Sequence, residues 1–328
     1  MILIVSSRVD PTAVRVADEL SRRGASFFWF DTKDFPSSAE ITVRYSASGA
    51  TRITLRQGDE FLDFASVGVV WYRRPGFPAP HVEVTDAKMR EGIIEECLTF
   101  LTDLWQSLDC AWVPAPFATI RRAEPKGFQL KTAGALGFTL PETVISNNPD
   151  ELLNLYREQA GQLISKRVAS RPLRTWNTEV RYAEPVGARD IGYAAALRLC
   201  PVILQAYIPK SVELRITVVG KSVFAAEIHS QETNRTRHDW RRYDLETTRH
   251  EPHQLPDAVA GQCVRLVEEL GLCYGAIDMV LTPDGRYVFL EINPNGQYLW
   301  VEDLARLPIT PAICDLLISR DAERSWAP

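Results

Sequence analysis

At 328 residues the chain is long enough for two or three domains with ample core, and its 45% hydrophobic and 24% charged content is that of an ordinary globular protein. The net charge of −5 argues against general nucleic-acid binding, so any basic site is local. The six cysteines form no CxxC pair, no apolar run approaches membrane-spanning length, and the N-terminus MILIVSSRVD lacks the basic and apolar segments of a signal peptide; the expectation is a reduced, cytoplasmic protein that binds no membrane.

The chain opens with a buried strand at residues 2–5. Asp10 and Pro11 give a cap and a first-turn proline to a helix over 12–23, Gly24 stops it, and 27–30 is the next strand. This β-α-β opening predicts a small parallel sheet. No GxGxxG follows the first strand, which argues against NAD. Residues 41–45 and 51–55 flank Ser48-Gly49 as a hairpin. A strand over 67–72 ends in Tyr72-Arg73-Arg74-Pro75. Two arginines at a strand end either meet a carboxylate or phosphate in a cleft or form a solvated strand end. A long helix over 84–107, a strand at 111–113 and Pro114-Ala115-Pro116 close a first domain, 1–115.

The second domain, 116–204, begins with a helix over 124–135 that carries Lys126 and Lys131. A strand at 143–145, a helix opened by Asn148-Pro149 and a strand over 163–168 with Lys166 follow. The polar stretch after it, with Arg171 and Arg174, reads as a loop able to cover a ligand. Apolar residues 202–206 lead into Tyr207-Ile208-Pro209, read as a hinge. The third domain, 205–328, has a hairpin of 213–219 and 222–228, then the run NRTRHDWRR at 234–242, an amphipathic helix over 258–270 and a terminal helix over 312–320. His229 at a strand end either faces a site or is structural, and His250 and His253 read as surface residues of a loop.

Between those last two helices, residues 275–300 read GAIDMVLTPDGRYVFLEINPNGQYLW. Two alternating runs joined by Pro283-Asp284-Gly285 form a hairpin. Asp278 lies on its first strand; Glu291 and Asn293, two apart, share one face of the second. Three oxygen ligands on rigid strands suit Mg²⁺. For any one of them alone, a solvent-facing strand position is the competing explanation.

Two lysines ahead of a hinge, Glu213, Arg215, a basic run and three oxygen ligands follow one another in an order that resembles the ATP-grasp ligase superfamily, over about residues 118–302. The resemblance implies an α+β and α/β chain: an N-terminal parallel α/β (pre-ATP-grasp) domain and two α+β lobes that sandwich ATP. It implies Lys126 and Lys166 at the phosphates, Gln205, Tyr207 and Ile208 at the adenine edge, Glu213 on the ribose hydroxyls and Leu290 beneath the base. Asp278, Glu291 and Asn293 become the ligands of Mg²⁺, as two ions. Arg215 and Arg241 are placed to bind the transferring phosphoryl group and spread its charge. Lys126 as a solvated helix lysine and Glu213–Arg215 as a surface pair are the competing explanations.

Phe30-Asp31, Trp71-Tyr72-Arg73-Arg74-Pro75, Asp239-Trp240-Arg241 and Glu291 through Trp300 carry a narrower resemblance across nearly the whole chain. It is to the ribosomal-peptide maturases that make graspetides, the microviridin-type macrocyclases. Lys166-Arg167-Val168 departs from it, since a lysine-proline pair is more usual there. The resemblance implies that ATP phosphorylates a side-chain carboxylate of a precursor peptide. A Ser or Thr hydroxyl then gives an ω-ester, or a Lys amine an ω-amide, with release of ADP and phosphate. The partner is a peptide with a leader and an acidic, hydroxylated core, met by Arg73, Arg74, Arg171, Arg174, His229, Arg237 and Asn295; a homodimer is compatible with it. Two alternatives are an ATP-grasp ligase that adds a free amino acid to a protein or small acid, and a non-catalytic nucleotide- or leader-binding module. The intact set of Asp278, Glu291 and Asn293 argues against the second.

Overall fold

The computed structural model describes residues 1–169, 183–232 and 248–324. Arg171, Arg174, Arg237 and Arg241 lie outside the described residues.

The first segment comprises β1 (Ile2–Val5), α1 (Pro11–Arg22), β2 (Phe27–Phe30), β3 (Ala39–Tyr45), β4 (Thr51–Gln57), β5 (Glu60–Asp63), β6 (Val69–Tyr72), α2 (Ala87–Gln106) and β7 (Ala111–Val113). The expected parallel sheet is present in the order β2-β1-β6-β7. Asp10 caps α1 by accepting from the Thr12 N–H at 3.1 Å, and Pro11 occupies a position where its missing donor costs nothing. The expected hairpin gains a third strand. Gln57 pairs with Glu60 across Gly58-Asp59, with Gly58 at a φ of 60°, so β5 folds back on β4.

The second segment comprises α3 (Phe117–Ala123), α4 (Lys126–Ala135), β8 (Thr143–Ser146), α5 (Pro149–Glu158), β9 (Leu163–Lys166), β10 (Glu184–Pro185), α6 (Ala188–Gly192) and β11 (Val202–Ala206). Its antiparallel sheet runs β10-β9-β11-β8. The third segment comprises β12 (Val212–Val219), β13 (Ser222–Ile228), β14 (His250–Pro252), α7 (Asp257–Glu269), β15 (Tyr274–Leu281), β16 (Tyr287–Asn293), α8 (Leu299–Ala305) and α9 (Ile309–Arg324). Its five-stranded antiparallel sheet runs β14-β13-β12-β15-β16.

That sheet has two unlike faces. Leu214, Ile216, Ile277 and Met279 alternate onto one face and pack with Cys263, Leu266 and Val267 of α7. The residues between them, Glu213, Arg215 and Asp278, point the other way and are buried although charged. α9 returns to the first segment, where Ile313, Cys314 and Leu317 join Val16 and Leu20 of α1 and Ile2 and Ile4 of β1 in one core cluster. The Met1 amine meets Asp321 of α9 at 2.6 Å. The six cysteines are free thiols. No helix among the described residues is long and apolar enough to cross a membrane.

Candidate active site

Strand register assembles the charged row. On β12, Arg215 stands opposite Asp278 of β15, and Asp278 stands opposite Glu291 of β16. Directly opposed residues of antiparallel strands point to the same face, so three charged side chains run side by side across three strands. Two pairs along, on the same face, Ala276 stands opposite Asn293. On the other side of the row, Glu213 faces Val280. Between Asp278 and Met279 the register shifts: Met279 pairs with Phe289, and Leu290 has no partner opposite it. Strict alternation would turn Leu290 away from Glu291. As the extra residue of a β-bulge it instead lines the same cleft as Glu291, while Phe289 stays in the core.

The acids of the row are matched by cations. Arg215 Nη1 is 2.7 Å from Asp278 Oδ1, and its Nη2 donates to the Gln297 carbonyl at 2.9 Å. Lys126 Nζ is 2.6 Å from Glu291 Oε2. The position of Lys126 is set by Gln129, three residues on. The buried Gln129 amide donates to the Ile292 carbonyl at 2.8 Å and accepts from the Ile292 N–H at 3.2 Å. It takes the place of a neighbouring strand at the outer edge of β16 and fastens α4 there. One turn earlier on the helix, Lys126 reaches Glu291, whereas Lys131 is exposed.

A cleft of roughly 570 Å³, part of it open to solvent, lies between this row and the sheet of the second segment. Gln205, Tyr207 and Ile208 line one side; Leu290 and Val280 line the other. Lys166, Glu213, Asp278 and Glu291 supply its charges. Lys166 Nζ donates to Gln205 Oε1 at 2.7 Å, and Gln205 Nε2 donates to Thr143 Oγ1 at 2.9 Å. Lys210 also lines the cleft, with Nζ 2.7 Å from Glu213 Oε1, and Ser230 Oγ donates to the same oxygen at 2.7 Å. Sequence reasoning passed over both; a lysine directly after the hinge proline was the available signal. The Asp278, Glu291 and Asn293 donor set, all oxygen, fits a hard cation. Asn293 is exposed, and its Oδ1 accepts from the Asn295 N–H at 3.0 Å with a lone pair to spare.

Several expected peptide contacts are placed differently. Arg73 is only 3% exposed. Its Nε is 3.3 Å from Asp10 Oδ2, and its guanidinium donates to the Asn295 carbonyl at 2.6 Å, the Gly296 carbonyl at 3.1 Å and Gln297 Oε1 at 2.7 Å. It is an interior residue, because this set of acceptors draws it inward. Asn295 accordingly presents its carbonyl to Arg73. His229 meets Glu227 at 3.2 Å and Arg249 at 2.9 Å. Glu227 pairs with Leu214, on the face opposite the charged row, so His229 is drawn away from the cleft.

Neither His250 nor His253 is a surface residue, although His253 lies in the loop directly after β14. His250 begins β14 with its ring 5.5 Å from that of Trp300, and burial pushes its imidazole below the ordinary value. His253 is half-buried and bridges Glu227 at 2.6 Å and the Tyr287 hydroxyl at 2.9 Å. Arg74 remains exposed beside Arg73 at the end of β6, and its guanidinium is cationic at neutral pH.

Comparison with known proteins agrees with this architecture. A family model described as the MvdD pre-ATP grasp domain matches residues 1–121. The macrocyclase MdnC from Microcystis aeruginosa MRC, in a crystal structure bound with the precursor peptide MdnA, is 32% identical, with 97% of this chain and 99% of that chain covered and a TM-score of 0.85. The macrocyclase MdnB from the same organism is also 32% identical, covering 97% and 98% of the two chains with a TM-score of 0.80. A RiPP-associated ATP-grasp ligase from Chryseobacterium gregarium, solved in complex with ADP and a leader and core peptide, is 27% identical, covering 100% and 97% with a TM-score of 0.88. No curated protein sequence matches the chain. Fold and cleft define an ATP-grasp ligase of the ADP-forming type. Within that superfamily the chain belongs to the ribosomal-peptide maturases of the graspetide, or microviridin-type, family.

Proposed function

We propose that this ligase closes rings in a ribosomal precursor peptide. The observation that carries the proposal is the convergence, in one cleft, of Glu213, Asp278, Glu291, Lys166, the bulged Leu290 and the hinge. The base of ATP would lie between Leu290 and the hinge residues Gln205, Tyr207 and Ile208. Glu213 would hold the ribose hydroxyls, and Lys126 and Lys166 the phosphates. Asp278, Glu291 and Asn293 would hold Mg²⁺, in our reading two ions, which would neutralise phosphate charge there.

An Asp or Glu carboxylate oxygen of the peptide attacks the γ-phosphorus. The new O–P bond forms as the bond to the β–γ bridging oxygen breaks, and ADP leaves. A Ser or Thr hydroxyl, or a Lys amine, then attacks the acyl carbon. Its proton is released, phosphate departs with the C–O bond, and an ω-ester or ω-amide remains. The peptide loses one water per ring. The chain contributes positioning and charge: Arg215 orients Asp278, and Arg241 is assigned from sequence to the transferring group.

Arg74, exposed and cationic, is the described residue we assign to the acidic core; Arg171, Arg174 and Arg237 keep that role from sequence alone. The peptide-bound relatives support a peptide substrate, and the spans 1–115, 116–204 and 205–328 remain our proposed domain limits. Glu291→Ala tests the reading: turnover is abolished while peptide affinity, measured by fluorescence anisotropy of a labelled leader-and-core precursor peptide, is retained. Retained turnover overturns it.

A further inference from the structure

The loop that follows the metal hairpin is held from below by an arginine of another segment. Arg73, at the end of β6, donates to three acceptors on Asn295, Gly296 and Gln297. Its fourth neighbour is Asp10, the buried cap of α1. The Tyr274 hydroxyl adds a bond to the Gly296 carbonyl at 2.7 Å, and Thr12 Oγ1 donates to Gln297 Oε1 at 2.9 Å. A side chain at Gly296 would overlap the Ala276 Cβ and lie 2.9 Å from Arg215 Nη2, so the loop backbone is pressed directly against the charged row.

Both ends of this loop lead to residues assigned to the metal. The Asn295 N–H donates to Asn293 Oδ1 at 3.0 Å, which fixes the rotamer of that amide. The Gln297 carbonyl accepts from Arg215 Nη2 at 2.9 Å, while Arg215 Nη1 holds Asp278. Arg73 touches none of the three oxygen ligands. It fixes the loop that orients two of them, in the way that outer partners of metal ligands set ligand geometry. The planar fork suits this use, because three acceptors in different directions are met by one rigid cation.

We infer that Arg73 is a positioning residue for the Mg²⁺ site, acting through the 295–297 loop on Asn293 and, by way of Arg215, on Asp278. This rests on the assignment of Asp278, Glu291 and Asn293 as metal ligands made above. It gives Arg73 a role distinct from Arg74, its exposed neighbour.

The test is calorimetric titration of ADP into the full chain, with Mg²⁺ and with EDTA, for the wild type, Arg73→Lys, Gln297→Ala and Glu291→Ala. The gain in ADP affinity on adding Mg²⁺ falls by about 10- to 100-fold in Arg73→Lys, the range for loss of an outer-shell partner. It falls less in Gln297→Ala, which leaves the two backbone bonds of Arg73 in place. Affinity in EDTA stays at the wild-type value in both, which a general loss of structure would not allow. A wild-type Mg²⁺ gain in both variants, with the gain lost in Glu291→Ala, overturns the role of Arg73 alone. A wild-type gain in Glu291→Ala overturns the ligand assignment itself. Should Arg73→Lys fail to fold, Gln297→Ala decides: a reduced gain supports the positioning role, and an unchanged gain removes it.

Discussion

Lys126 Nζ lies 2.6 Å from Glu291 Oε2, joining the first turn of α4 to the end of β16. The two residues were drawn from sequence for different partners, a phosphate and a metal ion, and they occupy one point in space. Their side chains are 20% and 16% exposed, so the pair is accessible from the cleft side while shielded from bulk water. A cation and an acid that meet each other here can exchange partners when phosphate and metal arrive together.

On the proposed assignment, substitution of Lys126 by alanine would remove a phosphate contact from a partly dry site. Turnover per ATP bound is expected to fall by ~10²-fold, in the range seen when one preorganised charge donor is lost. Lys131→Ala, on the exposed side of the same helix, is expected to change it by about twofold or less. Steady-state ADP release assays on the two variants distinguish them; equal losses would show that the helix, and not the position of Lys126, is what matters.

Leu290 owes its place in the cleft to one irregularity of register. Leu290→Ala removes apolar surface from the floor without disturbing the paired residues Phe289 and Glu291. Nucleotide affinity is expected to weaken by roughly tenfold, since three carbon atoms are deleted from a half-buried side chain and only part of their area would be covered by the base. Calorimetry with ADP gives the value, and thermal stability should stay near that of the wild type because Leu290 is outside the core. An unchanged ADP affinity would mean that the base does not lie on this residue.

His250 supplies a pH dependence. Burial against Trp300 lowers its pKa in the folded chain below the value near 6.5 that it has when unfolded. Between the two pKa values the unfolded state binds more protons, so stability rises with pH there. Acidification from pH 7 through this window therefore destabilises the fold, and the loss levels off below the folded-state pKa. In His250→Gln the fall in Tm between pH 7.5 and 5.5 should be shallower than in the wild type. Parallel Tm profiles would contradict the burial argument.

Much of the architecture was legible because its signals are local. The Asp10-Pro11 cap, the Pro283-Asp284-Gly285 turn and the period-two runs of β12 and β15 each announce their element within a few residues. β5 was missed although Gly58-Asp59 marks its turn, because four residues with only Leu62 buried carry no periodicity. The candidate site was legible where one strand carries two oxygen donors at a spacing of two, as in Glu291 and Asn293, which share one face with Asp278. Arg73 was not, because a strand-end arginine looks the same in sequence whether it faces a peptide or three carbonyl-side acceptors 222 to 224 residues away. The bulge at Leu290 was equally hidden, since register belongs to a pair of strands and cannot be read from one. Lys210 and Ser230 act on Glu213 only after β12, β13 and the hinge have folded together.

The central claim is that the ligase removes water from a peptide at the expense of ATP. Its most direct test is the intact mass of a precursor peptide that carries a leader and a core with Ser or Thr and Asp or Glu, after incubation with the protein, ATP and Mg²⁺. The account predicts a mass lower by one water for each ring, with one ADP formed per water lost. A gain of an amino-acid mass would make the protein a ligase of free amino acids, and an unchanged mass with nucleotide bound would make it a binding module; either result contradicts the account.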